Sequence, residues 1–113
     1  MAQGVVFHVN EAAPEKHRMA VRNLENAKKG LPEQPMEIVI NGPGLSMAAA
    51  GTSTVVEEIA ALQKQGVIVA VCRQTMKQHN MEEQDLLPGM LVVPSGVVRL
   101  IERQQDGYSY IKP

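Results

Sequence analysis

The chain has 113 residues, 44% of them hydrophobic, with 11 basic and 12 acidic side chains for a formal charge of −1. That length suits a single domain over residues 1–113 with one core, and the balanced charge lacks the cation excess that counterion release on nucleic acid requires. An aromatic content of 3% offers no stacking platform for single strands, and one cysteine forms no intrachain disulfide, so a reducing, cytoplasmic setting is expected.

The amino-terminal stretch Met1-Ala2-Gln3-Gly4-Val5-Val6-Phe7-His8 has no cationic start, and His8 ends its apolar run, so it reads as part of the fold and not as a secretory leader. Gly4–Val9 predicts a first strand. Ala20, Val21, Leu24, Ala27 and Leu31 then recur at three- and four-residue steps, predicting an amphipathic helix over 14–29, opened by Pro14 and closed by Gly30. Arg18, Arg22 and Lys29, interleaved with Glu15 and Glu25, form its wet face. His17 is expected in solvent with them.

Residues 37–40 predict a second strand, followed by Asn41-Gly42-Pro43-Gly44. This loop reads first as a tight turn and second as a backbone nest facing a ligand; it lacks the Lys and spacing of a P-loop and the repeated glycines of a dinucleotide fingerprint. A second helix carries Val55, Val56, Ile59 and Leu62, with Thr54 and Glu57 spaced as a capping box and Gly66 as its stop. The third strand, 67–72, is the longest apolar run; at six residues it is far short of the roughly 20 that a membrane span needs. Asn80 and Glu83 are spaced as a capping box for a short turn before Pro88-Gly89, and His79 before them is expected in solvent. Residues 90–93 predict a fourth strand, and Val97, Leu100, Ile101 and Gln104 a third helix between Ser95 and Gly107. Tyr108–Ile111 alternates in character and predicts a fifth strand at a sheet edge.

Strand and helix in alternation imply right-handed crossovers, hence a three-layer α/β/α domain with a five-stranded, mainly parallel sheet whose four apolar strands lie inside. Ligands of such sheets gather beyond the carboxyl ends of the strands. Four segments leave the sheet there: His8-Val9-Asn10, Asn41-Gly42-Pro43-Gly44, Cys72-Arg73-Gln74-Thr75 and Pro94-Ser95-Gly96.

Cys72 carries the distinctive chemistry, because a thiolate is a strong nucleophile and can hold sulfane sulfur as a persulfide; a lone thiol closing a strand is as readily a small packed hydrophobe. At an ordinary pKa of about 8.5, about 3% is thiolate at pH 7, whereas a value near 6.5 makes it about three quarters. The difference corresponds to about 2.7 kcal/mol. Exposure of Cys72 at the strand end to a following helix amino terminus would supply part of this. Gln74 and Thr75 are the candidates for polar contact with the sulfur through backbone N–H or hydroxyl, while Arg73 reads first as a solvated surface charge. His8 reads as a sheet-end residue before it reads as a base. No His, Cys and carboxylate cluster has metal-ligand spacing, and no Ser/His/Asp set or carboxylate pair supports hydrolysis.

Taken together, Arg22-Asn23-Leu24-Glu25-Asn26, Ile38-Val39-Ile40-Asn41-Gly42-Pro43-Gly44, Cys72-Arg73-Gln74-Thr75-Met76, Val93-Pro94-Ser95-Gly96-Val97 and the close from Gln104 through Tyr108-Ser109-Tyr110-Ile111-Lys112-Pro113 resemble the DsrE/DsrF-like sulfur-relay family in order and spacing. The family's cysteine motif has Asn and Leu where Gln74 and Met76 stand. The resemblance implies a small α/β subunit that forms homo- or hetero-oligomers. In it Cys72 accepts sulfur as a persulfide, without a cofactor, and passes it to a partner protein. Self-association also accords with a generous apolar supply that includes Met47, Met76, Met81 and Met90. Two functions follow as expectations: a sulfur carrier with Cys72 catalytic and Asn41, Gly42, Arg73, Gln74, Thr75 and Ser95 around its ligand, or a non-catalytic module that binds a small ligand or anion through Asn41, Gly42 and Ser95 while Cys72 packs.

Overall fold

The structure is a computed structural model describing residues 3–113; Met1 and Ala2, which begin the amino-terminal stretch discussed above, lie outside the described residues. Five strands, β1 (Gly4–Val9), β2 (Met36–Ile40), β3 (Ile68–Cys72), β4 (Leu91–Val93) and β5 (Tyr108–Ile111), form one sheet in the order β4-β3-β2-β1-β5. Every pairing is parallel, with Phe7 beside Ile38, Ile38 beside Val69, and Val71 beside Val92. β5 takes an edge, as its alternation implies. β4 takes the other edge, so only three of the four apolar strands are interior: Leu91 is exposed there, and Ile68 at the start of β3 is exposed as well.

Four helices connect and cover the strands: α1 (Pro14–Gly30), α2 (Val56–Lys64), α3 (Arg73–Gln78) and α4 (Gly96–Gln105). The larger core joins Val5, Phe7, Val9, Ile38, Ile40, Val69 and Val71 of one sheet face to Ala20, Val21 and Leu24 of α1 and Ile59 and Leu62 of α2. The opposite face, with Val6, Val39, Ala70 and Val93, is covered by α4 through Leu100. Alternation of side chains along each strand makes this division, odd positions of β1 and β3 and even positions of β2 facing the thicker layer.

Several boundaries and faces differ from the sequence expectations. α2 begins after Val55, without a side-chain cap on its N-cap residue, so the Thr54–Glu57 box does not form; Ser53 Oγ accepts from Val55 N–H instead. The second box lies two residues later than expected, Glu82 with Asp85, because Asn80 takes a left-handed conformation at φ 52° and ends the preceding turn. His17 faces inward, 2% exposed, with its Nε2 on the Glu11 carbonyl oxygen at 2.6 Å. Leu31 falls beyond the helix end and is exposed. Met47 and Met76 are buried and Met81 and Met90 pack half-buried against the core, so these four methionines chiefly fill interior volume.

The largest departure is on α4. Val97 and Ile101, expected to face the sheet, are 56% and 49% exposed, whereas Arg99 and Arg103 turn inward. The cause is Glu37 on β2, 1% exposed beneath the helix: Arg99 grips its carboxylate at 2.6 and 2.9 Å and Arg103 adds a bond of 3.0 Å. A buried carboxylate must be met by hydrogen-bonded cations, so the charges dictate which side of α4 faces in. Among the described residues no buried side-chain nitrogen or oxygen lacks a partner. Nor is any helix among them long and apolar enough to cross a membrane.

Candidate functional site

Parallel register brings the carboxyl ends of β1, β2, β3 and β4 to one edge, and parity decides which side chains meet there. His8, Asn41 and Cys72 follow Val6, Val39 and Ala70 by two residues, so all three lie on the face that α4 covers. Tyr110, on the neighbouring edge strand, is paired with Val6 and shares that face. Cys72 closes β3 immediately before α3, where the chain turns from extended to helical backbone.

Cys72 is 6% exposed, more enclosed than a strand end opening to solvent would leave it. Burial pushes its thiol up, but hydrogen bonds from the Thr75 hydroxyl and from the N–H groups of Thr75, Gly96 and Gln74 outweigh it and leave the pKa below the ordinary thiol value. The donors come from two directions: α3 follows the cysteine directly, and Gly96 opens α4 from across the sheet edge. The missing side chain at Gly96 eases this approach, since a Cβ there would sit 3.2 Å from Cys72 Cβ and 3.0 Å from Asn41 Cβ, tight enough that one of them would have to shift. The Glu37–Arg99 clamp, one turn further along α4, holds that helix end against the sheet.

The loop after β2 is a 3₁₀ helix, Gly42–Met47, in place of a bare tight turn. Gly42 N–H donates to Thr75 Oγ1 at 2.9 Å, so the Thr75 hydroxyl accepts from Gly42 and is free to donate its own proton to the sulfur. Gly44 lets this segment pack on β1, because a Cβ at that position would meet the Val9 carbonyl oxygen at 2.5 Å. Asn41 occupies the gap between β1 and Gly96, with Oδ1 at 2.9 Å from His8 Nε2.

The remaining candidates point elsewhere. Arg73 leaves the sulfur and pairs with Glu83 at 3.0 Å in an exposed ion pair. The Gln74 side chain is exposed, and only its backbone N–H reaches Cys72. Ser95 caps α4, its Oγ accepting from Val98 N–H at 3.4 Å, and borders a cavity of about 170 Å³ lined with Val93, Pro94, Val98, Arg99 and Glu102, to which Cys72 does not contribute. Among the described residues no group of three His, Cys, Asp or Glu could hold a metal ion. Sequence reasoning left out Gly96 as a donor and Tyr110 as a neighbour of His8; the signal for Gly96 was the Ser95-Gly96 helix opening, whereas Tyr110 depends on strand order.

The Cys72 sulfur is thus buried among one hydroxyl and three backbone N–H donors, surroundings that lower the cost of its anionic form.

Comparison with known proteins accords with this architecture. A sequence model of the DsrE/DsrF-like family matches residues 4–113. The structure of a protein of unknown function, MTH1491, from Methanobacterium thermoautotrophicum is similar over 96% of this chain and 97% of its own, at 31% identity and a TM-score of 0.91. The crystal structure of the ychN protein from E. coli has 14% identity, covers 98% of this chain and 99% of its own, and superposes with a TM-score of 0.84, which is a likeness of fold. No protein of curated function matches the chain.

Proposed function

The chain belongs to the DsrE/DsrF-like family, and from that premise we propose that it is a sulfur-relay protein carrying sulfane sulfur on Cys72. The observation that carries this reading is the set of donors converging on the Cys72 sulfur, which favours the thiolate despite burial. In the first step the thiolate attacks the outer sulfur of a donor persulfide RS–SH; a new S–S bond forms on Cys72, the donor's S–S bond breaks, and RS⁻ leaves. In the second, an acceptor thiolate attacks that outer sulfur and Cys72 departs as thiolate. One sulfur atom moves without net oxidation or reduction and without a cofactor. Thr75, with Gly42 behind it, and the Gln74 and Gly96 amides stabilise the anion at the start and end of each cycle.

The partners in this reading are a sulfur donor protein, an acceptor protein and further copies of the chain. Self-association draws on the outer side of α4, where Val97, Val98 and Ile101 are about half exposed on a helix whose inner side is already occupied by Glu37. A second reading, a non-catalytic module in which Cys72 packs, draws on the 6% exposure of the cysteine. Intact mass of protein purified without reductant separates them. The carrier reading expects a cyanide-releasable addition of one sulfur that is absent from Cys72→Ser; no addition, or an undiminished one in the variant, would leave the packed-cysteine reading in its place.

A further inference from the structure

Tyr110, His8 and Asn41 form a hydrogen-bonded row across β5, β1 and the end of β2, ending beside Cys72 on β3. Tyr110 Oη is 2.7 Å from His8 Nδ1, and His8 Nε2 is 2.9 Å from Asn41 Oδ1. A carboxamide oxygen only accepts, so Nε2 carries a proton, and in the neutral imidazole Nδ1 then accepts from the Tyr110 hydroxyl. With Oδ1 committed to His8, the Asn41 amide nitrogen must point away from β1. It lies 3.4 Å from the place a Cβ on Gly96 would take, and the same place is 3.2 Å from Cys72 Cβ. Asn41 Nδ2 and Cys72 therefore flank the first residue of α4.

The donors on the Cys72 sulfur come from Thr75, Gln74 and Gly96, and Asn41 is not one of them. A persulfide places a second sulfur about 2.05 Å beyond the first. We infer that Asn41 Nδ2 is the donor to this outer sulfur, and that His8, steadied by Tyr110, is the positioning residue that holds the carboxamide in the orientation required. The inference rests on the sulfur-carrier reading and deepens it: one group of donors serves the thiolate, and a separate one serves the carried sulfur. His8 acts through Asn41 and exchanges no proton with sulfur. When Cys72 takes the outer sulfur from RS–SH, RS⁻ leaves, and the outer sulfur then releases its proton to solvent to become the anion that Asn41 meets.

The test is the sulfur-exchange equilibrium between Cys72 and glutathione persulfide, read by intact mass, beside the rate of iodoacetamide alkylation of the unloaded thiol. His8→Leu should shift the exchange constant toward the unloaded protein by about tenfold, the scale of one hydrogen bond to a charged group, with the alkylation rate within about twofold of the parent. Asn41→Leu should do the same. His8→Gln, whose amide can still donate to Asn41 Oδ1, should restore loading to within about threefold of the parent. Equal losses in both readouts would mean general disturbance of the edge, and an unchanged exchange constant in His8→Leu would mean that Asn41 needs no orienting; either overturns the inference, as does failure of Gln to rescue. Failure of the parent protein to take up any sulfur would instead bring down the carrier reading itself.

Discussion

At the scale of single residues, the Cys72 thiol is decided by competition between burial and hydrogen bonds. The sum favours the anion, so alkylation should become half-maximal at a lower pH than for a free thiol. Thr75→Val, which keeps the volume and removes the hydroxyl donor, should move that midpoint upward and slow alkylation at neutral pH several-fold. A midpoint unchanged in this variant would assign the shift to the backbone N–H groups alone. The same shift has a stability consequence. A folded-state value below that of the unfolded thiol, about 8.5, means that deprotonation favours the fold; the contribution is complete above the unfolded value and is lost as pH falls through the folded one. Unfolding of Cys72→Ser measured across that range should lack this increment.

At the scale of elements, α4 is set by charge more than by its apolar stripe. Glu37 is buried with Arg99 and Arg103 as partners, and burial of an ion pair does not by itself guarantee stabilisation, but removal of one partner from a buried carboxylate is costly. Arg99→Met should destabilise the protein by about 3 kcal/mol in chemical denaturation, since Arg103 alone supplies a single bond to Glu37. The hydrogen bond to Glu37 raises the Arg99 pKa above its ordinary value, so the clamp persists at alkaline pH and no loss is expected there from this arginine. Because the clamp lies one turn from Gly96, the variant should also slow Cys72 alkylation. Gly96→Ala tests the same junction more locally: its methyl group would press on Asn41 and Cys72, and part of the Gly96 N–H contact with sulfur should be lost, with the thiol midpoint moving up.

At the scale of the whole molecule, the sheet is covered unequally. α1 and α2 close one face over a broad core, whereas α4 alone lies on the other and presents Val97, Val98 and Ile101 outward. A second copy applied to this surface would complete a layer that one chain leaves thin, and apolar patches meeting their own kind are the natural form of a closed symmetric contact. Sedimentation should therefore detect an oligomer, and Ile101→Glu should shift it toward monomer without lowering the unfolding midpoint of the subunit. A parent protein that sediments as a monomer at every accessible concentration would refute this.

The sequence by itself determined the five strands and the three longer helices, though not the short α3 or the 3₁₀ turn after β2. Near-continuous apolar runs at Gly4–Val9, 37–40 and 67–72 suit strands covered on both sides, and the change to helical period between them requires parallel crossovers, so sheet type and the location of Cys72 at a carboxyl edge were readable from local pattern. Its resemblance to the DsrE/DsrF-like family was readable too, in motifs whose order survives without coordinates. What periodicity could not convey is which neighbours each element meets. Strand order made β4 an edge and brought Tyr110 to His8; Glu37 looked like the first residue of an apolar run, and its burial reversed the inward side of α4. The donors on Cys72 come partly from Gly96, 24 positions later in the chain, and hydrogen bonds across that separation exist only once the sheet has placed both ends at one edge. Local pattern follows from each residue's own backbone and its neighbours three or four places away, whereas the chemistry of the thiol depends on contacts that only tertiary packing creates.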